Sequence, residues 1–292
     1  MWTGIELLHI LQDIRMDFPF LEDLCLAMSS RAVYMVIPVL LIMSIYWLFD
    51  REKGEIIILG CLTAVVTSSI VKLLVAMERP WALDPEIYRV PGAGDAGFSL
   101  PSGHTTMSVS SYIPAAWYFR KKAVLAALMA MAAVLIGMSR LILCVHTPLD
   151  VITSIAISAA MVLLAFKAVE IGKRSERAYY SITAAYVIPF TVLALYACLY
   201  READLQEILP TTGAFYGLMI GRIIEHRYIG YTVKERTGGQ KIKAYAVGIL
   251  AAGVIFGVPM AAIPAFGTFI GGMLLMIWCY ALYPMVMMKR DI

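Results

Sequence analysis

Residues Ala123–Asp150 read AVLAALMAMAAVLIGMSRLILCVHTPLD. From Ala123 to Met138 no side chain carries a charge, and then Arg140, His146 and Asp150 arrive together. A run of about twenty apolar residues crosses a hydrocarbon slab as a helix. Lipid offers backbone amides no partner, so only a helix or a closed barrel satisfies them there. Ionisable residues at the end of such a run are costly, and they mark function by default. This stretch therefore decides both the fold class and where to look for chemistry.

The rest of the chain repeats the pattern. Its 292 residues are 61% hydrophobic and 15% charged, with mean hydropathy +0.78. A soluble domain carries nearer a quarter charged residues. The excess falls in separated apolar runs, not in the alternating segments of about ten residues that build a barrel. The expected class is all-α: a polytopic transmembrane helical bundle of about nine spans. These fall at 32–49, 55–77, 103–119, 123–142, 149–168, 181–200, 211–225, 243–260 and 265–287. Arg222 and Glu225 sit near the end of the seventh. Residues 1–30 read as amphipathic and interfacial. The expected division is 1–30 as that N-terminal segment, 31–170 as the catalytic transmembrane core, and 171–292 as additional C-terminal transmembrane helices. Gly253/Gly257 and Gly267/Gly271 have the spacing that permits close helix contact.

Net charge is +3, too small to suggest nucleic acid as a partner. The five cysteines are scattered without a CxxC and read as packing residues. There is no asparagine, so N-glycosylation is excluded. Seventeen of the 24 lysines and arginines fall opposite the loop at 80–101. The positive-inside bias puts that loop outside the cytoplasm. Lys72, Arg79 and Arg140 are among the few basic residues on the outer side.

Three groups of residues converge on that side. Lys72 and Arg79 are seven apart, two helical turns, so a continuous helix puts both on one face. Two cations on one face call for an anion, although interfacial snorkelling is the bland alternative. Pro101-Ser102-Gly103-His104 opens the next span. A helix start with Ser and Gly presents backbone N–H groups and a hydroxyl to phosphate oxygens, and His104 there can protonate a leaving group. Ser139-Arg140 and His146-Thr-Pro-Leu-Asp150 form the third group. Arg140 offers a planar fork for phosphate. Pro148 favours a helix start just after His146, and Asp150 can hold the imidazole as a neutral nucleophile. Alternatively the pair only closes a loop. Taken together, three cations, two imidazoles and a carboxylate fit one reaction, phosphoryl transfer.

The three groups resemble the KxxxxxxRP, PSGH and SRxxxxxHxxxD motifs of the type 2 phosphatidic acid phosphatase (PAP2) superfamily. Lys72, Arg79, Pro80, Pro101, Ser102, Gly103, His104, Ser139, Arg140, His146 and Asp150 fill every signature position. The resemblance implies that His146 is the nucleophile and forms a phosphohistidine. It implies that Asp150 orients His146, that His104 is the general acid, and that Lys72, Arg79, Ser102, Gly103 and Arg140 bind the phosphoryl oxygens. It implies no cofactor and no metal, and no acidic cluster suited to Mg²⁺ is evident in the sequence. The motif-bearing part spans about 20–170. Nine spans and an outside N-terminus are similar in topology to glucose-6-phosphatase and the sphingosine-1-phosphate phosphatases.

The expected function is an integral membrane phosphatase acting on a lipid phosphate or polyprenyl pyrophosphate. The expected location is a bacterial plasma membrane, with the active site extracytoplasmic and membrane lipids as surroundings. A soluble sugar phosphate as substrate, a phosphotransferase, and a non-catalytic lipid-binding or transport protein on the same scaffold remain open. Trp81, Tyr88 and Arg89 are either flanks for a headgroup or interfacial belt residues.

Overall fold

A computed structural model describes residues 4–94, 97–200, 205–263 and 266–289. The all-α class holds: the chain is 83% helix, with no strand among the described residues. In chain order the helices are α1 (Ile5–Asp17), α2 (Phe20–Met28), α3 (Ile37–Ser44), α4 (Arg51–Val75), α5 (Pro80–Leu83), α6 (Gly103–Tyr118) and α7 (Ala123–Ile142). Then follow α8 (Pro148–Arg174), α9 (Glu176–Tyr200), α10 (Leu205–Ile224), α11 (Gly238–Ala262), α12 (Gly267–Ile277) and α13 (Tyr283–Lys289). Short π-helical segments at Ala32–Val36 and Ile45–Phe49 flank α3.

Seven segments among the described residues are long and apolar enough to cross a membrane: Phe20–Phe49, Arg51–Leu83, Ala123–Ile142, Pro148–Arg174, Glu176–Tyr196, Gly238–Ala262 and Gly267–Lys289. These seven are fewer than the expected nine, and the count of nine is not confirmed. Helix α6 has 16 residues, about 24 Å against roughly 30 Å of hydrocarbon. Helix α10 is diluted by Pro210, Thr211, Thr212 and Arg222.

The chain divides into two compact units. One comprises residues 1–41 and 57–166, the other 42–56 and 167–292. In the first, short hydroxyl side chains join α4, α6 and α8. Thr106 Oγ1 donates to Ser68 Oγ at 3.3 Å. Ser154 Oγ donates to the Ser102 carbonyl at 3.0 Å and Ser158 Oγ to the Thr106 carbonyl at 3.1 Å. Asp150, Ser154 and Ser158 recur every four residues, so one face of α8 is polar, and α6 covers it. Interhelical hydrogen bonds of this kind substitute for the hydrophobic drive that lipid removes.

Helix α1 buries two polar side chains alongside Leu8 and leaves several apolar ones outside. Gln12 and Arg15 are buried, whereas Leu7, Ile10 and Ile14 are exposed. Gln12 Nε2 donates to the Glu86 carbonyl at 3.0 Å and Arg15 to the Ile142 carbonyl at 3.0 Å. His9 bonds Asp84 at 2.9 Å, which holds the Asp84 carboxyl below its ordinary range. The helix thus clasps the 84–88 loop and the end of α7, with an apolar outer face suited to an interface.

In the second unit the glycine seam differs from the expected one. Gly253 and Gly257 face open space. The close approach is made by Gly213 and Gly217 of α10, where a Cβ would overlap the backbone carbonyls of Phe269 and Met273 on α12. Gly267 and Gly271 do lie against α11, at Pro259 and Phe256. The charges of the expected seventh span are satisfied internally. Arg222 Nε meets Glu55 Oε1 at 2.7 Å, and its guanidinium lies 3.5 Å over the Tyr179 ring. Glu225 pairs with Arg51 and accepts from the Tyr231 amide at 2.7 Å. Cys25, Cys61, Cys144 and Cys279 are buried free thiols. The Cys198 side chain lies outside the described residues.

Three substitutions check this packing by thermal unfolding in detergent. Gly217→Leu should destabilise by about 3 kcal/mol through overpacking, whereas Gly253→Ala should be neutral or stabilising by up to about 1 kcal/mol. Arg222→Met strands the Glu55 carboxylate and should cost about 3–5 kcal/mol.

Candidate active site

The site is built where the α7–α8 connection meets the start of α6 and the end of α4. Its first component is a helix start. Thr147 precedes α8, and Pro148 occupies the first helical position, where a missing N–H costs nothing. The Asp150 amide donates to Thr147 Oγ1 at 3.3 Å, and the Thr147 amide donates to Asp150 Oδ2 at 2.7 Å. This reciprocal pair has the form of a capping box. It fixes the carboxylate before any catalytic consideration enters.

The same Oδ2 also accepts from Ser99 Oγ at 2.5 Å and faces His146 Nδ1 at 3.4 Å, the outer limit of a hydrogen bond. On the other side of the ring, Arg79 Nη1 approaches His146 Nε2 at 3.0 Å. A guanidinium only donates, so Nε2 carries the lone pair and the proton sits on Nδ1, facing the carboxylate. His146 is buried, and that burial holds its pKa well below the ordinary histidine range. The cations Arg79, Arg140 and Lys72 push in the same direction. Burial and the Arg79 contact thus both favour the neutral imidazole.

The route by which Lys72 and Arg79 reach the site differs from the expectation of a shared helical face. Helix α4 ends at Val75, and Ala76 turns the chain with φ 49°. Arg79 is extended, with φ −75° and ψ 156°. The helix has therefore ended before Arg79, and the proline that follows Arg79 further favours the extended conformation there. Arg79 instead donates to the carbonyls of Val145, at 2.8 Å, and Gly97, at 3.1 Å. These bonds aim its guanidinium at His146.

Ser102 caps α6 and accepts from the Thr105 amide. Gly103 follows with open space beside its Cα. Arg140 is fully buried and donates to the carbonyls of Ala93, at 2.5 Å, and Gly94, at 3.2 Å. Gly94 in turn lies beside the Cε1 edge of His104. All eight candidate residues thus fall within one unit.

Sequence reasoning missed several contributors. Ser99 stood inside a motif stretch and Thr147 between two motif residues, so a [ST]-x-x-[DE] search before the apolar run finds Thr147. Ser29 and Tyr34, both against His104, carry no such signal. His9, Asp84 and Glu86 place potential ligand atoms within 4.8 Å of one another. None of the three is a predicted site residue, and their separation along the chain hid the grouping. Trp81 receives Arg79 and Arg89 over its ring at 5.9 and 5.4 Å.

The family model described as PAP2 superfamily matches residues 54–174, and a second, described as PAP2 superfamily phosphatase, transmembrane extension, matches 209–292. Together they take in more than two thirds of the chain. The chain belongs to the PAP2 superfamily. No curated protein and no solved structure matches it. Within the PAP2 superfamily this chain is an integral membrane protein of the phosphatase type, and its second half carries the extension. The matched core contains every one of the eight candidate residues.

The tautomer is open to direct measurement. Histidine ¹⁵N NMR of the ligand-free protein should find His146 neutral and protonated on Nδ1 at pH 6, where an ordinary histidine of pKa about 6.5 is mostly charged. Arg79→Met removes a like charge and should move the His146 pKa upward.

Proposed function

We propose that the protein hydrolyses a lipid-borne phosphomonoester, or the terminal phosphate of a lipid pyrophosphate, through a phosphohistidine at His146. The observation that carries this reading is the His146 ring held between Asp150 and Arg79. Its Nε2 lone pair faces a cation that would bind the incoming phosphoryl group. When substrate arrives, Arg79 exchanges Nε2 for a phosphoryl oxygen and the lone pair is released for attack. The N–P bond forms as the P–O bond to the leaving group breaks, and His104 supplies a proton to the departing oxygen. Water, deprotonated by His104, then attacks the phosphohistidine. The N–P bond breaks, inorganic phosphate leaves, and the lone pair returns to Nε2.

The remaining residues stabilise charge. Asp150 keeps the proton on Nδ1 and offsets the cationic ring that forms on attack. Lys72, Arg79 and Arg140, with Ser102 and the Gly103 amide at the start of α6, neutralise the phosphoryl oxygens. Protein cations do the work a metal does in other phosphoryl-transfer sites, so the reading is of a metal-independent hydrolase.

Two features support a lipid substrate. The site lies at the ends of segments long and apolar enough to cross a membrane, where a lipid headgroup would sit while its tails stay in the bilayer. The helices beside it, α1 and α2, expose apolar faces, with Phe18, Phe20 and Leu24 each more than half exposed. The lysine and arginine bias supports an extracytoplasmic site.

Phosphate release in chelating buffer tests the reading, with phosphatidic acid, a C55 polyprenyl pyrophosphate, sphingosine-1-phosphate and glucose-6-phosphate as the panel. Release from a lipid member should persist without metal, vanish in His146→Ala, and fall about 10²–10⁴-fold in His104→Ala. Right-side-out vesicles should hydrolyse added substrate and sealed inverted vesicles should not. A preference for glucose-6-phosphate would replace the lipid reading with that of a sugar phosphatase.

A further inference from the structure

The junction between α2 and α3 lies outside all three motifs, yet it meets His104 twice. The Ser29 carbonyl is 3.1 Å from His104 Nε2. The Tyr34 ring lies on the imidazole with centroids 3.8 Å apart and planes inclined by 36°. Both contacts fall within the first compact unit.

The junction is held in place independently of His104. Ser139 Oγ donates to the Ile136 carbonyl at 2.7 Å, so in its 2.9 Å contact with Ser29 Oγ it accepts. That bond ties Ser29 to the residue before Arg140. Tyr112 Oη of α6 donates to the Val33 carbonyl at 2.8 Å, next to Tyr34. Tyr34 itself sits in the π-helical segment Ala32–Val36. Such a segment inserts a residue into the helical ladder and re-aims the side chains around it, which is why π segments recur at functional sites.

The chemistry of the two contacts differs. A carbonyl only accepts, so the Ser29 contact keeps a proton on Nε2 whether the ring is neutral or charged. The nitrogen left to gain and lose a proton is Nδ1. The Tyr34 ring limits rotation about the Cβ–Cγ bond, and its electron-rich face favours the cationic form of its neighbour. We propose that the Ser29 carbonyl and Tyr34 are positioning groups for His104, fixing Nε2 as its anchored nitrogen and Nδ1 as the nitrogen that exchanges protons with the leaving oxygen and then with water. Ser29 stands to His104 as Asp150 stands to His146. The proton on Nδ1 passes to the leaving oxygen as the P–O bond breaks, and Nδ1 recovers a proton from the attacking water. This assignment rests on the reading of His104 as the general acid.

The test compares two substrates that differ in their need for that proton. Octyl phosphate leaves as an alkoxide unless protonated, whereas p-nitrophenyl phosphate leaves as a stable phenolate. In the full-length detergent-solubilised protein, His104→Ala should lower the single-turnover rate of leaving-group release about 100-fold or more on octyl phosphate and far less on p-nitrophenyl phosphate, whereas steady-state turnover, which includes attack by water, should fall on both. Tyr34→Leu should lower that leaving-group release rate about tenfold on octyl phosphate, the scale of one lost aromatic contact, and leave it within about twofold on p-nitrophenyl phosphate. Tyr34→Phe keeps the ring and should restore the wild-type ratio. Histidine ¹⁵N NMR of the wild type should place the His104 proton on Nε2, a readout that needs no folded Tyr34 variant. Equal loss on both substrates in Tyr34→Leu, or an Nδ1-protonated His104 in the neutral wild type, overturns the positioning role alone. No leaving-group dependence in His104→Ala overturns the acid assignment beneath it.

Discussion

The Asp150 carboxylate is the point on which the site depends. One oxygen accepts from the Thr147 amide, from the Ser99 hydroxyl and from the imidazole of His146. The first bond belongs to the start of α8, the second draws in the segment leading to α6, and the third is chemistry. A buried carboxylate without partners is among the most costly groups a protein can hold. Here the bonds that stabilise it are the ones that aim it. The fold and the site are therefore one construction, and the sequence Thr147-Pro148-Leu149-Asp150 specifies both.

The same economy applies to the cations. Arg79 and Arg140 are buried among backbone carbonyls supplied by irregular chain: Gly97 and Val145 for one, Ala93 and Gly94 for the other. Carbonyls accept from the guanidinium groups without neutralising their charge, so the field at His146 remains positive. Burial first, and that field with it, hold the His146 pKa down, and the proposed reaction draws on the field to hold a phosphoryl group. In the second unit the cations Arg222 and Arg51 meet carboxylates directly. Neutralised pairs of that kind stabilise a bundle and leave no charge for an anion.

How much was legible follows from the range of each interaction. Sites built from local geometry were readable. His146 and Asp150 lie four apart across a helix start that Pro148 announces, and Ser102 caps the helix that follows it. The fold class was readable because lipid permits few solutions. Where a second sequence-distant element decides the outcome, the reading failed. Seven apart suggested one helical face for Lys72 and Arg79, but the helix ends at Val75 and the chain turns at Ala76. Glycine spacing alone did not tell which helix would be approached, so α10 was overlooked in favour of an open stretch of α11. Helix α6, at 16 residues, is not among the seven segments long and apolar enough to cross, and serine and threonine bonds hold it to its neighbours. Ser29 and Tyr34 reach His104 from some seventy residues away, and nothing in their local sequence points there.

The central claim is that His146 becomes covalently phosphorylated. Rapid quenching of the enzyme with ³²P-labelled lipid phosphate, followed by peptide mapping, tests it most directly. The account predicts an acid-labile, alkali-stable phosphoryl group on the peptide that contains His146, formed within one turnover and absent from His146→Ala. Turnover without any trapped phosphoenzyme, together with inversion at a chiral phosphorus, would mean direct attack by water and would contradict it.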